Sequence, residues 1–354
     1  MVRARLGAAS AILAVALSSL FVAGPVSATD TPASRAVAYL FNAQSADGSL
    51  GGSPGETEDY ILGAAATGFD PATLVACSGK SAFDFLAAKL SAATADAGKT
   101  AKLILAVAAG HRDPAAFAGT DLVAKLTADR SAGTGAYGDG ATFTQSLAIL
   151  ALRAAARPIP SDSVAYLGSL QDADGSWNYG TAADAIAGDT NSTAVALMAL
   201  GAAGSTAPVA RALTWLHGQQ LADGGFPYQG GSGATSDPDS DALVIEALTA
   251  VGESPSGPAW TVGGHTATSN LLTFQATDGG FVFPGSKTSD AFTTSEVPAG
   301  IAGTPPDRPT TFATGLAPAV RSCPTSTTPG PTAHPGSVAG ATLPPTSTAA
   351  DGSS

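Results

Sequence analysis

Three aspartates stand at alternate positions at the start of a predicted apolar helix: Asp237, Asp239 and Asp241. Carboxylates that lie close together raise one another's pKa, so one of them can stay protonated and donate a proton. Asp239 is the candidate acid, with Asp237 beside it, and Asp241 is a candidate ligand contact. Glu246 follows seven residues after Asp239, on the same helical face. A carboxylate within an apolar helix needs a partner or water, so Glu246 is a further candidate ligand contact.

Helix capping is the alternative, and the sequence favours it for the aspartates. The segment Asp189–Ala194 opens another predicted helix with the same layout as Asp237–Ala242. Asp, Asn, Ser and Thr at helix starts accept hydrogen bonds from unpaired N–H groups and are stabilised by the helix dipole. For Glu246 the alternative is an exposed helix edge, and both interpretations stay open.

The helices that carry these residues belong to a sequence repeat whose unit occurs four times. In Tyr166–Trp177 it runs from an aromatic–aliphatic pair through a glutamine and an Asp-Gly turn to an aromatic residue. Glycine supplies the positive φ of the turn, and glutamine can bond backbone groups left unpaired between two helices. The unit predicts a hydrogen-bonded connection between neighbouring helical hairpins, here called a clip. Its positions include Gln44, Gln171, Gly175, Trp177, Gln220, Gly224, Phe226, Gln275, Gly279 and Phe281.

Tyr179 and Tyr228 lie just beyond two of these turns. They either reach the mouth of a central cavity, as ligand contacts, or cap the hairpin ends. The second interpretation is favoured because the turns already use neighbouring aromatic residues.

The chain from Ala33 to Gly303 alternates helical runs with glycine-rich breaks, which predicts an all-α fold. Twelve helices in six hairpins of about 45 residues match the period of known helical repeats. The first helix of each hairpin carries the clip, and the second, richer in alanine, belongs to an inner ring. The predicted helices are Ser34–Gln44, Glu58–Thr67, Lys80–Ser91, Ala97–Ala109, Asp121–Asp129, Thr142–Ala155, Ser161–Gln171, Ser192–Ala203, Ala207–Gln220, Ser240–Val251, Gly264–Gln275 and Ser289–Ile301.

The spacing aromatic–Leu–x3–Gln–x3–Gly–x–Trp resembles the repeat of squalene and oxidosqualene cyclases, which protein prenyltransferase β subunits share more loosely. It is also similar to the toroidal domain of cobalamin carriers. The resemblance covers nearly all of the chain between the N-terminal segment and residue 304. It implies an α6/α6 toroid, a double ring of about twelve antiparallel helices around a cavity. The clip residues are structural in the family, so the resemblance speaks for fold more than for reaction.

Proton-initiated terpene cyclases carry a DxDD cluster whose middle aspartate protonates an alkene. Asp237 and Asp239 match that pattern, whereas Ser240 replaces the last aspartate and Asp241 follows one place late. Only 6 % of the chain is aromatic, although such cyclases use aromatic faces to stabilise carbocations. Neither cysteine stands in the Asp-x-Cys setting that binds zinc in the prenyltransferases, and the four histidines are scattered. We therefore expect no metal and no cofactor.

The N-terminus has the pattern of an export signal, residues 1–28, with Arg3 and Arg5 before an apolar run and a small-residue cleavage site at Val26–Ala28. We expect a protein that is secreted or held at the cell surface, with no transmembrane helix in the mature chain. The formal charge of −12 becomes −14 without the two arginines. An acidic chain repels phosphate backbones, so nucleic acid is not an expected partner.

The remaining chain divides at residue 303. Residues 29–303 form the predicted toroid, and residues 304–354, rich in Pro, Thr, Ser, Ala and Gly, are predicted to be a disordered tail or wall-spanning stalk. Leu343–Thr346 resembles the start of a cell-wall sorting signal, but no apolar helix follows, and wall association stays open. Cys77 and Cys323 could pair in an oxidising compartment and tie the early fold to its end.

Two functions follow from these observations. The favoured one is an exported toroid that binds a small apolar or isoprenoid-like ligand, or a partner, in its central cavity. The alternative is a divergent terpene-cyclase-like enzyme with Asp239 as proton donor. The volume and lining of the cavity distinguish them.

Overall fold

The computed structural model describes residues 30–181, 183–308, 310–313 and 316. Its described part is all-α, as predicted, and backbone pairing between extended residues there is limited to isolated bridges. Short 3₁₀ turns cover Pro114–Ala116, Pro258–Trp260 and Leu272–Phe274. The helices are α1 (Pro32–Ala43), α2 (Pro54–Ala66), α3 (Ala82–Ala88), α4 (Leu90–Ala93), α5 (Ala97–Ala109), α6 (Leu122–Ala128), α7 (Thr142–Ala154), α8 (Ser161–Ser169), α9 (Thr190–Ala202), α10 (Ala207–Gln219), α11 (Pro238–Ala250), α12 (Ala267–Leu271), α13 (Ala291–Ser295) and α14 (Pro298–Ala302).

The helices form two concentric rings. The inner ring is α2, α5, α7, α9, α11 and the pair α13–α14, and each member packs against the next. The ring closes because α14 contacts both α11 and α2. The outer ring is α1, α3–α4, α6, α8, α10 and α12. This is the α6/α6 toroid that the sequence predicted.

Two predicted helices are broken and two have different limits. The predicted Lys80–Ser91 is split into α3 and α4, and Ser289–Ile301 into α13 and α14. Pro298 explains the second break, because proline lacks the N–H that would continue the helical hydrogen bonds of α13. The predicted Gly264–Gln275 shortens to α12 followed by a 3₁₀ turn. In contrast, α2 begins at Pro54, four residues before the predicted Glu58, and Ser53 is its N-cap.

Each clip glutamine joins its own turn to the next outer segment. The Gln171 amide donates to the carbonyls of Gly175 and Pro208, at 2.8 and 2.9 Å. Gln220 bonds Gly224 and Trp260 in the same way, and Gln44 bonds Gly48 and, more weakly, Leu74. The residue that ends each unit is fully buried: Leu50, Trp177, Phe226 and Phe281. The recurring bonds fix one outer helix against the next around the ring.

The fourth unit closes the ring onto the first helix. The Gln275 amide donates to Gly279 at 2.9 Å and to Pro32 at 2.8 Å, and Arg35 donates to the Gln275 side-chain oxygen. Gly279 has φ +92°, and a Cβ there would lie 2.7 Å from the carbonyl oxygen of Arg35. Glycine is required at this junction because the two backbones approach so closely.

The chain after Gly303 continues to pack against the toroid, past the predicted boundary. Arg308 donates to the carbonyl of Ala250 at the end of α11, and Thr310 donates to Ala65 at the end of α2. His111, just after α5, contacts the Thr310 carbonyl and stacks on Phe312. The described residues 304–308 and 310–313 therefore cross the C-terminal ends of three inner helices. Residues 317–354 of the predicted tail lie outside the described residues.

None of the helices in the described part of the chain is long and apolar enough to cross a bilayer. The export signal predicted over residues 1–28 lies outside that part, as does Cys323. Cys77 is disulfide-bonded, and its pairing with Cys323 stays a prediction.

Candidate functional site

The inner helices surround a cavity of about 170 Å³ along the ring axis. The side chains that face it recur two, six and nine positions after each inner-helix N-cap, the spacing of one helical face. They form three layers across the cavity. The first layer is Gly55, Phe143, Asn191, Asp239 and Phe292; the second is Asp59, Lys102, Leu147, Val195, Leu243 and Glu296; the third is Leu62, Leu105, Leu150, Met198, Glu246 and Ala299.

The lining is divided into an apolar and a charged side. Helices α7 and α9 contribute apolar side chains at nearly every facing position. The charged side is built by α11, α13–α14, α2 and α5, which are neighbours in the ring. Its members are Asp239, Glu246, Glu296, Glu56, Asp59 and Lys102. Pro306, from the segment that crosses the inner-helix ends, lines the cavity as well.

Asp239 lies in the first layer on α11. Asn191 of α9 donates a 2.6 Å hydrogen bond to its Oδ2, and Glu296 is a second side-chain partner. Two carboxyl groups can hydrogen-bond only if they hold a proton between them. Burial, together with the charges of Asp237 and Asp59, raises the pKa of Asp239 to about 7. A carboxyl in this setting is able to hold and release a proton near neutral pH.

Asp237 is the N-cap of α11 and does not line the cavity. Its two carboxylate oxygens accept from the Ser240 N–H at 2.9 Å and the Ser240 hydroxyl at 3.0 Å. Asp189 caps α9 with the same pair of bonds to Ser192. The repeated layout in the sequence is therefore a repeated cap, and only Asp239 of the first two aspartates reaches the cavity.

Asp241 is fully buried between elements and does not reach the cavity, so its place does not suit the predicted ligand contact. Its carboxylate accepts from the backbone N–H of Phe226 at 2.7 Å and from Asn270 at 2.9 Å. Threonines do the same work in other repeats, where Thr193 accepts from Trp177 and Thr294 from Phe281. The position is a structural one, four places after each N-cap.

Lys102 and Asp59 form an ion pair in the second layer, with 2.7 Å between Nζ and Oδ2. Their side chains are only 14 % and 16 % exposed. Burial disfavours the ammonium, but the Asp59 and Glu58 carboxyls outweigh it and raise the pKa of Lys102. Burial raises the pKa of Glu58, which lies behind the pair and has one oxygen without a hydrogen-bond partner among the described residues.

Glu246 lies deepest on the charged side, in the third layer, and is 5 % exposed. No described residue hydrogen-bonds its carboxyl. Burial, with the charges of Asp239, Asp59 and Asp307 nearby, raises its pKa well above the usual value. Of the two interpretations left open by the sequence, the geometry agrees with the cavity-facing one.

Tyr179 and Tyr228 are half-buried at the end of the cavity formed by the inner-helix N-termini. The start of α9 holds the loop of Tyr228, where Thr190 donates from its N–H to the Tyr228 carbonyl. The start of α7 holds the loop of Tyr179, where Thr142 donates from its N–H to the Gly180 carbonyl. Burial and the nearby Asp189 raise the pKa of the Tyr228 hydroxyl, which stays a neutral donor. Both tyrosine side chains line the mouth of the cavity, whereas the sequence favoured a role in capping the hairpin ends.

The sequence interpretation missed Asp59, Lys102, Glu296 and Asn191. In the predicted helix Glu58–Thr67, Asp59 is the second residue, where the helix dipole accounts for an acidic side chain. Lys102 and Glu296 share one sequence feature with Glu246: each is a charged residue within an apolar inner helix. In the described residues, no group of three or more His, Cys, Asp or Glu side chains is arranged to hold a metal ion.

Solved structures share this fold. A protein from Actinoplanes aligns with a TM-score of 0.51 and 17 % identity, over 77 % of this chain and 98 % of that one. The type II terpene cyclase MstE from Scytonema aligns with a TM-score of 0.51 and 15 % identity, over 77 % and 96 %. A variant of MstE in complex with geranylgeranyl dihydroxybenzoate, its substrate, gives 0.50 and 15 %, over 77 % and 96 %.

At these identities the likeness establishes a terpenoid cyclase-like toroid fold. No protein-family model matches the sequence, and no curated protein matches it.

Proposed function

We propose that the toroid binds a small, largely apolar molecule in its axial cavity. The observation that carries the proposal is the lining itself, since every inner helix turns a face towards a space of about 170 Å³. An apolar cavity of roughly 150 Å³ is large enough to take up benzene. Concave, mostly apolar sites with a few convergent polar groups are typical of small-molecule binding.

Isoprenoid alcohols are suitable first probes. The apolar side of the cavity, built by Phe143, Leu147, Val195 and Met198, matches a branched hydrocarbon chain. The fold likeness supports the choice, because a protein of this fold is described in complex with a geranylgeranyl compound. Tyr179 and Tyr228 at the mouth offer hydroxyl groups to a polar end of the ligand.

Geraniol is expected to bind the mature protein, and Leu243→Trp is expected to weaken its binding at least about tenfold, because the indole would fill the second layer. The measurement is isothermal titration calorimetry. Phe283→Trp is the matched control, since Phe283 is 52 % exposed and does not line the cavity. Circular dichroism checks the fold of each variant, and Val195→Phe is a second block from the neighbouring inner helix α9. Wild-type affinity in both folded blocking variants would exclude the axial cavity as the site.

Acid catalysis on a bound isoprenoid is the second candidate. The specific observation in its favour is the Asp239 carboxyl, which lines the axial cavity, accepts a hydrogen bond from Asn191 and has a pKa raised to about 7. Incubation with squalene and shorter polyprenes, followed by mass spectrometry, separates the two functions. A cyclic product that disappears in Asp239→Asn would establish an enzyme, whereas unchanged recovery of a bound probe would leave the binding function.

We further propose that the protein works outside the cell, on the basis of the export pattern in residues 1–28. N-terminal sequencing of protein recovered from culture medium and from the cell envelope tests this. A mature start at Thr29 is expected, and a cell-retained chain that still begins at Met1 would contradict it.

A further inference from the structure

The cavity holds more acidic than basic groups. The described lining residues include five carboxyls, Glu56, Asp59, Asp239, Glu246 and Glu296, against the single ammonium of Lys102. Lys102 is already paired with Asp59 at 2.7 Å, and Asp239 and Glu296 are partners of one another. Glu246 is left as the carboxyl of the cavity wall to which no described residue offers a hydrogen bond.

The position of Glu246 makes this lack of a partner costly. Glu246 is 5 % exposed and lies on the same face of α11 as Asp239 and Leu243. Asp307, from the segment that crosses the inner-helix ends, adds another carboxyl at this end of the cavity. When an apolar molecule enters and displaces water, an ionised Glu246 would lose its remaining solvation. A hydrogen-bond donor carried by the ligand would replace it.

We propose that the ligand is an amphiphilic amine, an apolar body with an ammonium group that pairs with Glu246. This proposal rests on the proposed binding function. The geometry favours an ammonium over a metal ion, since the described carboxyls are not grouped to hold one. It disfavours an anion, because a second negative charge beside Glu246, Asp59 and Glu296 would be repelled. The hydrocarbon part lies against the apolar side formed by α7 and α9.

Three probes with the same hydrocarbon chain test the charge directly: geranylamine, geraniol and geranic acid. Titration calorimetry is expected to show geranylamine binding most tightly and geranic acid most weakly. In Glu246→Gln, the affinity for geranylamine is expected to fall by about tenfold to a hundredfold, the loss of a charge-assisted hydrogen bond. The affinity for geraniol should change by less than about threefold, because an amide oxygen still accepts from a hydroxyl.

Glu253→Gln is the matched control, a carboxyl seven residues further along the chain that is exposed and outside the lining. It should leave all three affinities unchanged. Glu246→Gln removes only a charge and keeps the shape of the side chain, so the variant is expected to fold.

The outcomes separate this inference from the proposed function. Geraniol or geranic acid binding as tightly as geranylamine, or a Glu246→Gln variant that keeps its preference for the amine, would overturn the amine assignment alone. Binding of none of the probes, or binding that is insensitive to Leu243→Trp and Val195→Phe, would overturn the axial site and the amine assignment together.

Discussion

Lys102→Met is expected to lower the free energy of unfolding by about 3 kcal/mol near neutral pH. The substitution keeps the length and apolar stem of the side chain but leaves Asp59 in the cavity wall without its partner, 2.7 Å away in the wild type. Removal of one partner from a largely buried ion pair leaves an uncompensated charge, and Glu58 and Glu296 nearby would increase the repulsion. Urea denaturation followed by circular dichroism measures the change.

Lys99→Met is the control for Lys102→Met. Lys99 makes an ion pair of the same length with Asp96, but both side chains are exposed, at 36 % and 53 %. An exposed pair contributes about 0–1 kcal/mol. The double variant Lys102→Met/Asp59→Asn should recover most of the loss because the unpaired charge is gone. Equal effects of the two lysine substitutions would show that the cavity wall is as wet as the surface.

The wild-type protein is expected to lose stability, on the order of 3 kcal/mol, as pH rises from about 5 to about 8. The pKa of Asp239 is raised to about 7, that of Asp189 to about 6, and those of Glu246 and Glu296 also lie above their usual values, all mainly through burial. In the unfolded chain these groups titrate near pH 4. Between the two values the native state binds more protons, so the free energy of unfolding falls as pH rises.

A pair of variants and the stability at acidic pH provide two further tests of this pH dependence. Glu246→Gln is expected to flatten the profile and to be more stable than wild type near pH 8, whereas Glu253→Gln should follow the wild-type curve. Below about pH 4 stability should fall again. The reason is that hydrogen bonds lower the pKa of Asp84 through Ser81, and bonds from Lys99 outweigh burial to lower that of Asp96. A profile that rises steadily from pH 5 to pH 8 would contradict the burial of the cavity carboxyls.

The ionised cavity carboxyls lower the free energy of unfolding, and this bears on function. Glutamine at position 246 would fill the same space without a charge to desolvate. Residues that lower stability at a cavity are expected where binding or catalysis requires them. Glu246 and Asp239 face the cavity and meet that description. Burial raises the pKa of Asp237 and of Asp241 too, but these carboxylates accept hydrogen bonds from backbone N–H groups, which gives them a structural role.

The ring architecture was predictable because its signal is repeated. The Gln–Asp-Gly–aromatic unit recurs at fixed spacing, and the structure gives the glutamines of all four units the same two acceptors, one in the turn and one in the next outer segment. Helix limits were predicted less well where a proline or a short helix intervened, as at Pro54 and Pro298. The local signal was present at both positions, because proline is favoured in the first turn of a helix and Ser53 is an N-cap.

The site was only partly predictable, because the cavity depends on which helical face turns inward. Glu246 and Asp239 were found from a charge within an apolar run and from clustered carboxylates. Asp59 and Lys102 were missed because their pairing joins helices 43 positions apart in sequence. Positions two, six and nine after each inner-helix N-cap face the axis. Predicting them from sequence requires the N-caps to be identified first, and the sequence interpretation did not identify Ser53 as one. The packing of residues 304–308 and 310–313 had no sequence signal, since the composition of this part of the chain is that of a linker.

A crystal structure of the mature protein with geranylamine, grown at a concentration that saturates binding in solution, would show where the amine binds. We expect electron density for the probe along the ring axis, with its nitrogen within hydrogen-bonding distance of the Glu246 carboxylate and its hydrocarbon chain against Val195 and Leu147. A probe seated on the outer surface of the rings, with only water in the axial cavity, would contradict this expectation.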